Sequence, residues 1–136
     1  MTLTDTGPLV ALLDRDDANH RICVEAAKRL SARPMLTTWP CFAEAMYLLG
    51  TVGGFRYQAE LWKLETVGRL VVRDSTPDEM HRMAELMHKY RDTPMDLADA
   101  SLVAFAETHS IRKIFTLDGD FRLYRLANGS VLDLMP

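Results

Sequence analysis

Leu3-Thr4-Asp5-Thr6-Gly7-Pro8-Leu9-Val10-Ala11-Leu12-Leu13 reads as a very short β-strand that passes almost at once into a helix. Leu3 to Thr6 has strand character. Gly7 and Pro8 supply a turn, and Pro8 to Leu13 is an apolar helical turn. A strand feeding a helix in so few residues is the first half of a βα unit. The only acid in the stretch, Asp5, falls at the carboxyl end of the strand.

The rest of the chain repeats the alternation. Asp17 to Ala32 reads as a helix broken by Pro34, Met35 to Thr38 as a strand, and Pro40 to Val52 as a helix stopped by Gly53 and Gly54. Phe55 to Val67 is a further helix, and Leu70 to Val72 a strand. Thr76 caps a helix from Pro77 to Tyr90, with Glu79 at the capping-box position and Met80, Met83, Ala84 and Met87 at helical spacing. Asp92 to Pro94 is a loop, Met95 to Thr108 a strongly apolar helix, Lys113 to Leu117 a strand, Gly119 a turn, and Val131 to Leu134 a last strand. Strands and helices alternating at this spacing predict an α/β protein, with a mostly parallel sheet covered by helices on both faces. Its binding crevice would lie at the carboxyl ends of the strands.

At 136 residues, with 48% hydrophobic and 26% charged residues, the chain suits one soluble domain over residues 1–136 that folds without staples. Two cysteines, Cys23 and Cys41, make no disulfide framework and fit a reduced, cytoplasmic setting. Pro34 to Phe55 carries a single charge, Glu44, but its prolines and glycines argue for a buried strand and helix rather than a membrane span. Met1 to Leu13 lacks the basic residues of a secretion signal.

Placed on this map, six acids stand out. Asp5 and Asp118 follow strands, Asp120 comes two residues later, Asp96 and Asp99 share one face at a helix start, and Glu44 lies on an otherwise apolar helix. Together they are placed to converge on one edge of the sheet. Convergent carboxylates repel unless a cation sits among them. No His or Cys accompanies them in sequence, so oxygen-loving Mg²⁺ or Mn²⁺ suits them better than zinc. Ions of this kind hydrolyse phosphodiesters. Each acid also has a plain structural role available: helix-start charge for Asp96 and Asp99, turn residue for Asp118 and Asp120, cap for Asp5. His81, Glu85 and His88 read as a solvated face, and Trp39 as a packing residue.

Four segments in order resemble the acidic motifs of PIN domains, and more narrowly the VapC-type toxins of toxin–antitoxin pairs. They are the opening stretch with Asp5, the segment with Glu44, Met95-Asp96-Leu97-Ala98-Asp99-Ala100-Ser101-Leu102-Val103, and Phe115-Thr116-Leu117-Asp118-Gly119-Asp120-Phe121. The resemblance implies a three-layer α/β/α sandwich that binds Mg²⁺ or Mn²⁺ and cuts RNA. Asp5, Glu44, Asp99 and Asp118 would be the main acids, with Asp96 and Asp120 as auxiliary ligands. It also implies a homodimer silenced by an antitoxin that covers the cleft. One departure is the short spacing: only Gly119 separates Asp118 from Asp120, so either could be the direct ligand. Of the 19 acids, setting these six aside leaves 13 against 16 bases, so the remaining surface can grip phosphates. Arg15, Arg56, Arg122 and Arg125 are candidates, and the aromatic helix Phe55 to Val67 offers either core or a partner surface. The alternative is an inactive PIN-like module that binds RNA or protein. An aspartyl phosphatase would want an acid at Gly7, and a receiver domain an acid pair at the first strand end.

Overall fold

The computed structural model describes residues 1–30 and 32–136. Its elements run β1 (Thr2–Thr4), α1 (Thr6–Leu13), α2 (His20–Arg29), β2 (Met35–Thr38), α3 (Trp39–Gly53), α4 (Phe55–Thr66), β3 (Leu70–Arg73), α5 (Pro77–Lys89), α6 (Leu97–His109), β4 (Lys113–Phe115), a short 3-10 helix (Gly119–Arg122) and β5 (Asp133–Met135). All five strands are parallel, in the order β3-β2-β1-β4-β5.

Side-chain alternation sorts each strand between two cores. The register aligns Val71, Leu36, Leu3, Ile114 and Leu134 in one row across the sheet. All five pack into a cluster with Met83 and Leu86 of α5 and Leu102, Val103 and Phe105 of α6. Their neighbours point the other way: Leu70 and Val72 meet α1, α3 and α4, and Phe115 meets α1 and α2. Strands buried on both faces need no polar alternation, and period two decides only which helices each residue meets. The result is the expected three-layer α/β/α sandwich, with α1 to α4 on one face and α5 and α6 on the other.

Several boundaries differ from the sequence reading. Gly7 and Pro8 form no turn: α1 begins at Thr6, capped by Asp5, and Pro8 lies in the first turn, where its missing N–H costs nothing. The helix expected over Asp17 to Ala32 is shorter, because Asp17 turns back to accept the Asn19 N–H. Its Ser31 lies outside the described residues. Strand β4 stops at Phe115, two residues early, and β5 is shifted toward the C-terminus. In α5, Met83 is buried, Met87 half-buried and Met80 exposed, so the methionine stripe is only partly core. The expected capping box is present: Thr76 Oγ1 accepts the Glu79 N–H and Glu79 Oε1 accepts the Thr76 N–H. Thr76→Ala is expected to cost about 1 kcal/mol of stability, read by urea denaturation with an unchanged m-value.

Both cysteines are free and buried. Among the described residues no helix is long and apolar enough to cross a membrane.

Candidate active site

β1 lies at the centre of the sheet because the chain first builds outward through β2 and β3 and then returns to place β4 on the other side of β1. That reversal is the switch point of an open parallel sheet, where the connections from neighbouring strands diverge and leave a crevice. Asp5 follows β1 at this point, and its backbone N–H donates to the Phe115 carbonyl of β4 at 2.9 Å.

Each segment entering the crevice ends in an acidic helix cap. Asp5 caps α1, Asp96 caps α6 and Asp118 caps the 3-10 helix. Asp5 Oδ1 accepts the Thr6 N–H at 2.8 Å. Asp96 Oδ1 accepts the Asp99 N–H at 2.8 Å, while Asp99 Oδ2 accepts the Asp96 N–H at 3.2 Å. Asp118 Oδ1 accepts the Asp120 N–H at 2.9 Å. The plain structural roles are therefore real, and they serve a second end. Unpaired N–H groups and the positive ends of helices hold negative charge where carboxylates alone would repel.

Sequence reasoning did not single out Thr116, which ties two of these acids together. Its hydroxyl donates to Asp5 Oδ2 at 2.8 Å and accepts the Asp118 N–H at 3.0 Å. The only sequence signal was a polar residue at the end of an apolar strand. Two further groups were missed. Cys41 Sγ lies 4.0 Å from Asp5 Oδ1, and burial together with the Asp5 charge pushes its thiol up to about 12. Tyr124 is buried with its hydroxyl lacking a hydrogen-bond partner; burial and the charges of Asp99, Asp120, Asp118 and Asp96 all raise its pKa.

The acids share a field. Burial raises the Asp5 carboxyl to about 6 against the donors Thr116 and Thr6, and the charges of Asp118 and Asp96 add to the rise. Burial raises Asp99 to about 8, with the charges of Asp96 and Asp5 adding to it. The fold thus brings Asp5, Asp96, Asp99 and Asp118 together, with Asp120 close by in the 3-10 helix.

Two expectations need correction. Glu44 is exposed, not buried on an apolar face. Cys41, Phe42, Ala45 and Leu49 face the core, while Glu44 shares the outer side of α3 with Tyr47 and Leu48. It still stands one turn from Cys41 and acts on that thiol. Asp118 does not follow its strand directly: β4 ends at Phe115, and Asp118 caps the 3-10 helix in which Asp120 lies. Of the candidate arginines, Arg15 and Arg56 line a separate cavity with Glu60 that none of the six acids lines. Arg122 and Arg125 are exposed, the former within the 3-10 helix.

The donor set fits a hard divalent cation. It consists of carboxylate oxygens, and the one thiol among them is held protonated. As placed, no three His, Cys, Asp or Glu side chains among the described residues close around a common point. The charges of Asp96 and Asp118 act on Asp5, and those of Asp96 and Asp5 act on Asp99.

A parallel α/β/α sandwich with acids capping helices at its switch point places carboxylates where open α/β sheets bind their ligands. The PIN domain profile matches residues 2–127, and the chain belongs to the PIN domain family. It is 27% identical over 116 residues to Ribonuclease VapC26 of Mycobacterium tuberculosis (strain ATCC 25618 / H37Rv), covering 85% of each chain. Among solved structures it resembles M. tuberculosis VapC20, a sarcin-ricin loop cleaving toxin, with a TM-score of 0.79 and 22% identity, covering 90% of this chain and 94% of that one. It also resembles VapBC2 of Rickettsia felis, solved on a promoter DNA fragment, with a TM-score of 0.68 and 15% identity over 99% and 98% of the two chains.

Proposed function

We propose that this chain is a metal-dependent endoribonuclease, the toxin of a type II toxin–antitoxin pair, that hydrolyses RNA phosphodiesters at the crevice beside Asp5. The observation that carries the reading is the convergence of Asp5, Asp96, Asp99 and Asp118 at the switch point, with Asp5 and Asp99 held above the ordinary carboxylate range. Membership of the PIN family and the likeness to ribonuclease VapC26 support RNA as the substrate.

Asp5, Asp99 and Asp118 would hold Mg²⁺ or Mn²⁺, with Asp96, Asp120 and Glu44 completing the acidic rim. When bound, the ion supplies charge neutralisation and polarises water and phosphate for hydrolysis. Thr116 fixes the Asp5 carboxylate, so its orientation does not depend on the ion. The Asp96–Asp99 capping box does the same for Asp99. The exposed side chains Tyr47 and Val52 of α3 and Phe55 and Trp62 of α4 form an apolar surface suited to an antitoxin or a second copy of the chain. In α4 only Leu61 is fully buried, so that helix serves core and surface at once.

Purified protein is expected to cleave RNA with Mg²⁺ or Mn²⁺ and to stop in EDTA. Full activity in EDTA, or none with either ion on a panel of structured RNAs that includes the sarcin-ricin loop, counts against the reading. Asp118 caps the 3-10 helix and is linked to Asp5 through Thr116, so Asp118→Asn is expected to be more damaging than Asp120→Asn. Raised Mn²⁺ is expected to rescue Asp120→Asn, because losing a partner that only orients a ligand costs about 10–100-fold. The reverse order would make Asp120 the direct ligand.

A further inference from the structure

A second cluster of charge, of the other sign, lies on the α5/α6 face of the sheet beside the end of α6. A cavity of about 520 Å³ opens there, lined by Thr2 and Lys113 at the starts of β1 and β4, by Arg73 at the carboxyl end of β3, and by His109, Ser110 and Arg112 at the end of α6 and beyond. This volume lies within the range of roughly 300–1,000 Å³ typical of small-ligand sites. None of the six acids of the crevice lines it. Asp99 and His109 sit ten residues apart on α6, which places them roughly 15 Å apart along its axis.

Among the described residues, Arg73, Arg112 and Lys113 make no ion pair within 4.0 Å, even though Asp133 is the register partner of Lys113. Three exposed cations therefore surround one cavity without compensation. His109 is held ready beside them. Its ring stacks on Phe105 with centroids 3.8 Å apart, and its Nδ1 lies 3.1 Å from the Phe105 carbonyl. Behind it, buried Glu79 points Oε2 at the same nitrogen from 3.8 Å, and that oxygen has no hydrogen-bond partner. A carbonyl and a carboxylate on the Nδ1 side orient the ring and leave Nε2 to meet a ligand. Glu79 Oε2 faces Nδ1, so it does not occupy the Nε2 side of the ring.

We propose that this cavity binds a phosphoryl group, with Arg73, Arg112 and Lys113 supplying charge and His109 Nε2 a directed hydrogen bond. Guanidinium groups suit tetrahedral oxyanions through paired N–H donors, and a lysine adds a point charge. The phosphoryl group comes either from a nucleic-acid backbone or from a free phosphorylated small molecule. The proposal does not depend on what the acidic crevice does.

The test uses the full chain and the double variant Arg73→Glu/Lys113→Glu, whose side chains are exposed and carry no core packing. Inorganic phosphate and AMP, each against chloride at matched ionic strength, are expected to raise the melting temperature of the wild type. In the double variant their affinity is expected to fall about tenfold or more for each charge-assisted hydrogen bond removed. A labelled DNA oligonucleotide, which has the same phosphodiesters but no 2′-hydroxyl, separates the two sources by fluorescence anisotropy. For a backbone site, its salt slope is expected to fall by about 0.7 for each phosphate no longer neutralised in the variant. For a small-ligand site, only phosphate and AMP respond to the substitutions. Either pattern supports the cavity. Equal thermal shifts in wild type and variant, or none in either, overturn the proposal, as does charge-dependent capture of a polyglutamate peptide without any response to phosphate. These readouts contain no RNA cleavage, so their failure is separate from any failure of the nuclease reading.

Discussion

Asp99→Asn is expected to lower RNA cleavage by more than about a hundredfold while making the metal-free protein more stable. The two effects have one cause. Asp99 is buried, lies in the field of Asp96 and Asp5, and holds its carboxyl at about 8. Ionising it is unfavourable where burial and other carboxylates alone act on it, and necessary for holding a cation. Asparagine keeps the shape, and its side-chain oxygen can still accept the Asp96 N–H, so the cap on α6 survives. What disappears is the negative charge. Loss of a group that merely orients a metal ligand costs about 10–100-fold, and loss of a direct ligand should exceed that. Relief of like-charge repulsion stabilises the metal-free fold. Cleavage assays and thermal melts in EDTA on the same preparation check both halves. A variant that cuts RNA like the wild type removes Asp99 from the site. A variant that is inactive but less stable in EDTA shows that the charge was compensated within the protein.

The second large effect is on the pH dependence of stability. Asp5 titrates at about 6 and Asp99 at about 8 in the folded chain, each from an ordinary value of 3.8. The folded state therefore binds these protons more tightly than the unfolded state, and stability contributed by the two groups falls as pH rises. Below about pH 4 both states are protonated and the groups contribute nothing. The Asp5 penalty develops between about pH 4 and 6, and the Asp99 penalty continues to about pH 8. For Asp5 alone the full penalty is roughly 3 kcal/mol. Mg²⁺ or Mn²⁺ should reverse the loss at pH 8 and do little at pH 5, where the ion must displace protons. Melting the wild type and Asp99→Asn from pH 4 to 8.5, with EDTA and with Mn²⁺, isolates the site as the difference between the two proteins. A difference that moves in the wild type's favour as pH rises in EDTA would refute the assignment.

Much of this was legible in the chain. The alternation of short apolar strands with helices predicted a parallel, doubly covered sheet. The Thr76–Glu79 box was visible too, because a cap is a contract between residues three apart. The acids stand out in sequence because each interrupts an apolar pattern, Asp5, Asp96 and Asp118 at the edge of a segment and Glu44 inside one. Local signals did not settle where strands ended: β1 and β4 have three residues each, and their limits depend on neighbours that supply the ladder hydrogen bonds. Glu44 shows the same limit. Apolar residues surround it in sequence, yet which side of α3 is buried depends on where α1, α4 and α6 pack. The tertiary structure alone placed β1 beside β4, and with that it brought Asp5, Thr116 and Asp118 into one hydrogen-bonded unit from opposite ends of the chain. The same packing set Lys113 at the start of β4 and Arg112 beyond α6 around one cavity with Arg73 from the end of β3. Sequence periodicity determines which face of an element is apolar. Only packing determines which ends meet, because that choice is made by residues distant along the chain competing to cover the same surface.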